Sequence, residues 1–560
     1  MKKRIKAVII ILVFTLISKP YSSAQDLSNI SEIKPFAING NFGVNLSHYS
    51  SSGIQNRYLP FDYSLVGAVN MNIYGVSVPI TATISEQQNS VTQPFNQFGL
   101  SPQYKWIKLH AGWRNLNYSQ FTLAGHSFLG GGIDLNPGIF RMSGMYGRLL
   151  KSSEGDSNSI FNRTALYSRL AYSVKLGIGT TTDYIDIAFL KAWDDTNSIQ
   201  NQTIRSSIKP AENNVLGISG KTKILESLSF ELDAAASIYT MDTRAESLSS
   251  QEGFDFLKSI DGIIKARTST QLTSALQAGL QYRIKMFNCR VTYKRIDPDY
   301  KSMGMYYSET DVENIVIAPS IALLNNSLRL GTSIGVQRDN LSNIKMNTTN
   351  RIIGSLDASY QNQNYGIDAK YSTYGITQSK GLVAVNDTIK ISKVNHNLNL
   401  LGRYNFNTYG TTNVIVLNLG YQTLVDNNAR SAINSESDNY IGVLGYNLGL
   451  NKLGLNLSLN LNTIFMSMAN TKNNVIGPSI GIIYSGDGQY SVGTSMSYQI
   501  QDNELEGISK VINASANANY KISNNQSLRL DANYLKTSSN SAIPKFSEVR
   551  VNFGYSYSFN

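Results

Sequence analysis

The histidines and their hydroxyl neighbours are the side chains in this chain that could do acid–base or metal chemistry. The four histidines, His48, His110, His126 and His396, are scattered, and none has a neighbour at a spacing typical of metal ligands. His126 and Ser127 are adjacent, but neighbours on a strand face opposite sides and cannot act on one substrate atom. We therefore expect no enzyme activity and no cofactor, with a hydrolase as a minor alternative.

Metal or disulfide chemistry has little support elsewhere in the sequence. Asp194-Asp195 and Asp297-Pro298-Asp299 bring carboxylates together, but a pair of carboxylates falls short of the six to eight oxygen ligands that calcium takes. Cys289 is the only cysteine, so the chain can form neither an internal disulfide nor a cysteine zinc cluster. We expect no metal site.

Basic side chains form the third chemically active set. The alternation of polar and apolar residues in each strand places these basic side chains on the polar face. There they would raise the local concentration of anions and give a weak anion preference. The alternative is that they pair with acidic residues of the same face, such as Asp186, Glu231, Asp233, Asp368 and Asp531, and merely solvate it. The basic set comprises Arg169, Lys175, Arg283, Arg290, Lys294, Arg329, Lys370, Arg403, Arg529 and Arg550.

The elements that carry these residues are strands with one apolar and one polar side. Residues 453–462 read LGLNLSLNLN, with leucines from Leu453 to Leu461 on one parity and Gly, Asn and Ser on the other. Residues 512–520 repeat the pattern, and it continues to the end of the chain. Successive strand side chains point to opposite faces, so each ribbon needs both a lipid and water as solvents. This predicts an all-β fold, a transmembrane antiparallel up-and-down β-barrel over residues 36–560.

The N-terminal residues predict export. Lys2, Lys3, Arg4 and Lys6 precede an apolar run over 7–17, and the small residues 22–24 offer a cleavage site, so residues 1–24 read as a signal peptide. Residues 25–35 would be a short periplasmic lead. The signal peptide holds five positive charges, so the net charge of +11 falls to +6 on cleavage. That balance gives little reason to expect a nucleic-acid partner.

The connections between strands alternate in length. Short turns such as Asn136-Pro137-Gly138 and Tyr409-Gly410 alternate with long polar stretches such as 195–212, 297–309 and 426–438. Outer-membrane barrels show this pattern, with short periplasmic turns and longer extracellular loops. Counting strands gives about 25, and because such barrels close with an even number, we predict about 24, within a range of 22 to 26.

The odd strand is assigned to a region rich in tryptophan. Excluding 104–114 from the wall makes the count even, so we predict that residues 87–122 form one insertion, folded into the lumen or extracellular. A barrel of this size encloses a wide lumen that is usually plugged, which makes the insertion a candidate constriction. Its candidate residues are Trp106, His110, Trp113 and Arg114.

The last strand carries a resemblance to a known class. The outward residues Val551, Phe553, Tyr555, Tyr557 and Phe559 alternate with polar residues, which resembles the C-terminal assembly signal of outer-membrane proteins, although Asn560 follows the final Phe. The resemblance implies recognition by the barrel assembly machinery. The composition and the 24–25 junction look like outer-membrane barrels of the Bacteroidota, large and porin-like, without the plug domain of TonB-dependent receptors.

Two function classes follow for a barrel in the outer membrane of a Gram-negative bacterium. The first is a passive or gated pore for small polar solutes. The second is a non-transport scaffold or accessory barrel of an envelope assembly, whose protein partners the sequence does not specify. An outer-membrane hydrolase is the minor alternative. The predicted partner in every case is outer-membrane lipid.

Overall fold

The computed structural model describes residues 35–86, 97–155, 164–248, 265–386, 388–469, 471–486, 488–539 and 545–560. These residues form one sheet of strands that closes on itself, because the first strand pairs with the last. All neighbouring wall strands are antiparallel, and consecutive strands pair with each other in turn, which defines an up-and-down β-barrel.

The strands are numbered in chain order. The first half comprises β1 (Phe36–Ser52), β2 (Phe61–Ile73), β3 (Val76–Ser85), β4 (Gln97–Leu100), β5 (Gln103–Tyr104), β6 (Ile107–Asn117), β7 (Leu123–Leu135), β8 (Phe140–Leu150), β9 (Ser168–Gly179), β10 (Tyr184–Asp195), β11 (Glu212–Leu225), β12 (Leu228–Thr240), β13 (Thr270–Arg283) and β14 (Phe287–Ile296). The second half comprises β15 (Gly304–Met305), β16 (Val312–Leu323), β17 (Leu328–Arg338), β18 (Asn347–Gln361), β19 (Tyr365–Lys380), β20 (Ser392–Thr408), β21 (Thr411–Asp426), β22 (Ser437–Leu450), β23 (Leu455–Met468), β24 (Thr471–Gly486), β25 (Tyr490–Asn503), β26 (Gly507–Ser523), β27 (Gln526–Ser539) and β28 (Phe546–Phe559).

Over the described residues, the wall of the barrel contains 26 strands. β4 and β5 lie end to end between β3 and β6 and together occupy one position, while β15 pairs with β7 in parallel and is not part of the wall. The expected even number is therefore confirmed, and 26 falls at the upper edge of the predicted range. The central estimate of 24 was two strands too low.

The missing strands lie in the region assigned to an insertion. β6 pairs with β7 on one side and with β4 and β5 on the other, so residues 107–117 belong to the wall and the prediction of one insertion over 87–122 is wrong there. Two features hide this wall from the sequence pattern. Pro102 interrupts the strand before β6, and Gly112 adopts a φ of 85°, which breaks the alternation within it. Residues 87–96 lie outside the described residues.

The two ends of the barrel differ in their connections. At one end, called the turn end, consecutive wall strands are joined by two to four residues, and both β1 and β28 have their terminal residues there. At the other, the loop end, most connections are longer, and they contain helices α1 (Gln202–Ser207) and α2 (Ala429–Ser435). The predicted turns Asn136-Pro137-Gly138 and Tyr409-Gly410 both lie at the turn end.

The leucine row that identified the strand pattern begins one step later than predicted. Residues Asn451–Leu453 form a 3₁₀ turn, and Gly454 follows with a φ of 61°, a left-handed conformation that glycine adopts easily. Leu453 therefore belongs to the turn, and the outward row of β23 starts at Leu455.

The outer face of the wall is apolar. Leu216, Leu272, Ile334 and Leu459 are each more than half exposed. In their strands these residues alternate with the polar residues and so face the opposite side of the wall. Among the described residues, no helix is both long and apolar enough to cross a bilayer.

The interior is packed on only one side. In the described part of the chain, fully buried large side chains such as Phe128, Leu149, Leu190 and Tyr300 form one cluster. The member furthest along the sequence is Val312, at the start of β16. Strands β17 to β28 contribute no hydrophobic residue to this described cluster. Among the described residues, the barrel thus has a filled side, formed by β6 to β14, and an uncovered side, β17 to β28, that adds nothing to this buried cluster.

Candidate functional site: the inner wall and its two inner loops

Two connections at the loop end fold against the inner wall. The first inner loop, residues 118–122, joins β6 to β7, and the second inner loop, residues 297–311, joins β14 to β16. Gly304 and Met305 of the second loop pair in parallel with residues 123–125, immediately after the first loop. The two loops therefore form a single layer inside the filled side.

Hydrogen bonds tie the two inner loops to each other. The Tyr300 hydroxyl donates to the carbonyl of Phe121 over 2.5 Å, and the Ser302 hydroxyl donates to the carbonyl of Thr122 over 2.5 Å. Tyr300 is 1% exposed, and this burial raises its pKa above the ordinary value of a tyrosine. The neutral phenol therefore persists as a donor across the physiological range.

Further hydrogen bonds tie the second inner loop to the wall. The backbone N–H of Met303 donates to Asn213 Oδ1 over 2.9 Å, and the Ser237 hydroxyl donates to the carbonyl of Lys301 over 2.6 Å. Asn213 and Ser237 are both fully buried, on the inward positions of β11 and β12. These bonds satisfy buried polar groups of the wall, which would otherwise cost about 1–3 kcal/mol each.

A glycine of the wall makes room for the first inner loop. A Cβ atom at Gly217 would lie 2.3 Å from Thr122 Cγ2, far inside van der Waals contact, and Thr122 is fully buried. Gly304 has a similar role in the second loop, since a Cβ there would lie 2.7 Å from the carbonyl oxygen of Thr122. The close docking of the two loops depends on these missing side chains.

A hydrogen-bonded row crosses three wall strands below the first inner loop. Ser101 Oγ lies 2.9 Å from His110 Nδ1, and His110 Nε2 lies 2.9 Å from Asp134 Oδ2. The Ser143 hydroxyl donates to Asp134 Oδ1 over 2.5 Å and lies 3.0 Å from the Tyr118 hydroxyl. The row starts at Ser101, in the link between β4 and β5, crosses β6, β7 and β8, and ends on Tyr118, the first residue of the first inner loop.

The Ser101–His110–Asp134 part of this row resembles a hydrolytic triad in its connectivity. Hydrolysis also needs donors for the developing oxyanion. The backbone N–H of Ser101 already donates to the carbonyl of Pro79 over 3.0 Å, and Pro102, the next residue, has no N–H. Ser101 is only 6% exposed. These contacts favour a structural role, in which the row fixes the interrupted strand and anchors Tyr118.

Beside the inner loops lies a cavity of about 440 Å³ with a highly charged lining. Asp186 pairs with Arg141 at 2.9 Å and with Lys175 at 3.8 Å. Glu231 pairs with Arg290 at 2.7 Å and also with Lys221. Asp186 and Glu231 thus each hold two basic groups, and with Asp233 the lining has four basic and three acidic side chains, a small positive balance.

The first inner loop contacts a third acid of this cavity, Asp233 of β12. The backbone N–H of Gln120 donates to Asp233 Oδ2 over 3.0 Å, which joins the loop directly to β12. Asp233 lines the same cavity as the two paired acids. The charged cavity and the loop layer are therefore one continuous site.

The ten basic residues expected on the polar face are divided among several places. Five form ion pairs within the described chain: Arg169, Lys175, Arg290, Lys294 and Arg529. Arg283, Arg329 and Lys370 line a second cavity of about 400 Å³, and Arg550 lines a third of about 480 Å³. Arg403 lies over Gly366 on the uncovered side. Pairing with acidic residues, the alternative to an anion-attracting face, accounts for half of the set.

The four candidate constriction residues do not come together as a plug. Trp106 lies in the turn between β5 and β6 and is about half exposed, while His110 is a buried wall residue. Trp113 is buried in β6, and the Arg114 guanidinium donates to Thr81 Oγ1 over 3.0 Å along the wall. The inner loops narrow the lumen instead.

Sequence reasoning missed the second inner loop. The stretch around Asp297 was expected to be a polar external loop, yet it contains Tyr300, Met303 and Met305 in close succession. Such apolar residues inside an otherwise polar connection are a signal of burial that could have been used.

The second inner loop is held at its far end by a charge contact. Asp311 binds the ammonium group of Lys345, and its carboxylate also accepts the backbone N–H groups of Asn340 at 3.0 Å and Leu341 at 2.8 Å. Burial alone would raise the pKa of Asp311, but these donors outweigh it and hold the pKa below the ordinary value. The same contact raises the pKa of Lys345.

Comparison with solved structures gives low overall similarity. OccAB3 of Acinetobacter baumannii is 13% identical with a TM-score of 0.32, and the alignment covers 70% of this chain and 99% of that one. The translocation pore of the P pilus usher PapC is 11% identical with a TM-score of 0.38, covering 93% and 100%. A point mutant of the ferric enterobactin receptor PfeA from Pseudomonas aeruginosa is 10% identical with a TM-score of 0.39, covering 92% and 80%. The fold assignment therefore rests on the strand pairings of this chain.

No family model and no curated protein sequence matches the chain. The geometry of the described residues defines the class of protein: a closed, antiparallel up-and-down barrel of 26 strands whose lumen is partly filled by the two inner loops.

Proposed function

We propose that this protein is a pore for small polar solutes in the outer membrane of a Gram-negative bacterium. The observation that carries the proposal is the closed ring of strands with an apolar outer face and a polar inner face that is only partly covered. The outer face fits lipid, and the uncovered side of the inner face leaves a path for water and solutes.

The backbone supports insertion into a bilayer. A membrane tolerates strands only where every backbone polar group is paired, which a closed barrel achieves because it has no sheet edge. β1 and β28 pair over 13 residue positions, from Gly40 with Phe559 to Ser52 with Ser547, so the ring has a continuous closing ladder. Spanning strands need about 9–11 residues, and most wall strands exceed this.

The inner loops would set the size of the opening. They cover the side formed by β6 to β14, so solutes would pass along β17 to β28 and beside the charged cavity. The doubled basic partners of Asp186 and Glu231 support a weak anion preference as part of the proposal. Reversal potentials in a salt gradient test that part, and cation selectivity would contradict it.

Export, assembly and origin complete the proposal. Cleavage after residue 24, recognition of Val551, Phe553, Tyr555, Tyr557 and Phe559 by the assembly machinery, and a Bacteroidota-type origin follow from the sequence features of the two termini and the composition. β28 carries those five residues on one parity and closes the ring, which is the position such a signal strand should occupy.

Conductance in planar lipid bilayers is the decisive experiment. Purified barrel should give discrete single-channel steps, and liposomes containing it should swell in small neutral solutes faster than in large ones. A barrel that inserts but passes neither ions nor solutes would overturn the pore and favour the scaffold alternative. Insertion itself is checked by protease protection of the strands in the same liposomes.

A further inference from the structure

One part of the uncovered side, formed by β23, β24 and β25, has an inner face without charge. At the inward positions of β23, β24 and β25 the side chains are Asn, Ser, Thr, Gln, Gly and a few apolar residues, and none of these positions holds Lys, Arg, Asp or Glu. The charged cavity lies on the filled side, among β8 to β14. The lumen therefore presents two chemically different surfaces.

A groove of about 480 Å³ runs along this uncharged surface. Its centre follows one level of the strand register, at which Ser458, Gly481, Ser495, Ser515 and Asn533 are paired in sequence across five strands. The volume lies within the range of about 300–1,000 Å³ that is typical of small-molecule sites. The groove is thus a ladder of hydroxyl and amide groups with the size of a ligand site.

Several of these polar groups bind each other only weakly. Asn460 Nδ2 lies 3.4 Å from Ser479 Oγ, and Asn513 Nδ2 lies 3.5 Å from Ser497 Oγ. Hydrogen bonds of this kind are ordinarily about 2.7–3.2 Å long. The amides therefore retain hydrogen-bonding capacity that a solute with many hydroxyl groups can use, because each hydroxyl both donates and accepts.

Aromatic rings close one end of the groove. Tyr49 and Tyr58 meet edge to face with centroids 5.2 Å apart, and the Tyr49 hydroxyl donates to Glu548 over 2.5 Å. The guanidinium of Arg550 lies 5.1 Å from the ring of Tyr58. These contacts fix the rings and engage the two charged groups, so the end of the groove offers an apolar edge beside satisfied charges.

We propose that this groove binds a neutral oligosaccharide of about two or three units. The uncharged hydroxyl and amide ladder matches the alternating donors and acceptors of sugar hydroxyls, and the tyrosine rings suit the C–H face of a sugar ring. This inference deepens the proposed function, since it names the class of solute. Transport of the sugar rests on the proposed pore function. Binding itself requires no open path.

Equilibrium dialysis in detergent tests binding directly. The probes are radiolabelled maltotriose, cellotriose and chitotriose, with the charged trimer trigalacturonate for comparison. Wild-type protein should bind at least one neutral trimer with a Kd in the range of about 1 mM or tighter. A matched pair of variants follows, both made from isosteric Asn→Leu substitutions that leave the net charge unchanged.

The test variant is Asn460→Leu with Asn513→Leu, which removes two amides of the groove. The control is Asn399→Leu with Asn418→Leu, a well-formed amide pair of 2.9 Å elsewhere on the inner wall. The test variant should bind about tenfold more weakly, and the control should stay within about twofold of the wild type. Retained β-sheet circular dichroism confirms that each variant is folded.

Three results would overturn the inference. The first is that no neutral trimer binds with a Kd below about 10 mM. The second is that both double variants lose binding equally. The third is that trigalacturonate binds as tightly as the best neutral trimer. Channels that conduct without binding sugar would refute this inference and leave the pore intact. Binding without conductance would refute the pore and leave the groove.

Discussion

Replacing Gly217 with alanine should displace the first inner loop from the wall. The added Cβ would lie 2.3 Å from Thr122 Cγ2, and Thr122 is fully buried with a short β-branched side chain whose χ1 rotamers are restricted. β11 is fixed by ladders to β10 and β12, so the loop is the part that must move. Overpacking of this kind costs about 1–3 kcal/mol.

That cost converts into a change of loop population. At about 1.4 kcal/mol per factor of ten, the ratio of displaced to docked loop should rise about 5- to 150-fold. Single-channel recording should show a larger mean conductance or more frequent large steps. Hydrogen exchange of residues 118–122 should accelerate by a similar factor, because exchange follows local opening.

The control for this experiment is Gly279→Ala. Gly279 also faces the lumen, but a Cβ there would lie 3.6 Å from Arg290 Nη2, an ordinary contact. Gly279→Ala should therefore conduct and exchange like the wild type. If Gly217→Ala matched Gly279→Ala in both assays, the inner loop would not be docked on Gly217, and the docked loops could not account for the constriction.

Three further predictions concern the same layer. Tyr300→Phe removes the donor to the buried carbonyl of Phe121, so docking should weaken by about 1–3 kcal/mol and large conductance steps should become more frequent; unchanged recordings would contradict this. Hydrogen-bond donors lower the pKa of Asp311, so its contact with Lys345 should hold above about pH 4 and be lost as the pH falls through the lowered pKa. Hydrogen exchange of residues 339–346 should therefore accelerate in acid, and in Asp311→Asn it should be equally fast already at pH 7. His110→Ala should lower the free energy of unfolding in urea by about 1–3 kcal/mol, because it leaves buried partners of His110 unpaired. A fluorophosphonate probe should label Ser101 in neither the wild type nor His110→Ala. Labelling of the wild type would instead favour a hydrolase.

The strand faces were predictable because alternation is a local property. Neighbouring residues alone predict the outward row of β23, Leu455, Leu457, Leu459 and Leu461, and the faces of the last strand. The solvent that each side chain faces, lipid or water, determines its polarity directly. The wall around β6 was not predictable in the same way. A proline and a glycine with positive φ interrupt the pattern there, and only pairing with distant strands restores the wall.

The candidate site was less predictable than the fold. The inward basic residues could be placed on the polar face, but their partners, such as Asp186 for Lys175, depend on the register of neighbouring strands. The docking of Tyr300 against Phe121 joins residues 179 positions apart, which no local pattern encodes. The groove likewise exists only after five strands have been brought to one level.

The ladder between β1 and β28 has a consequence for the folding kinetics of the chain. Apart from this ladder, consecutive wall strands are neighbours in sequence, whereas Ser47 and Asn552 are hydrogen-bonded across a separation of 505 residues. Closing so long a segment carries the largest loop entropy in the barrel, so we expect this ladder to form last. Until it forms, the sheet has two free edges that can pair with other chains. The lifetime of that open sheet should therefore govern how much of the protein aggregates during refolding.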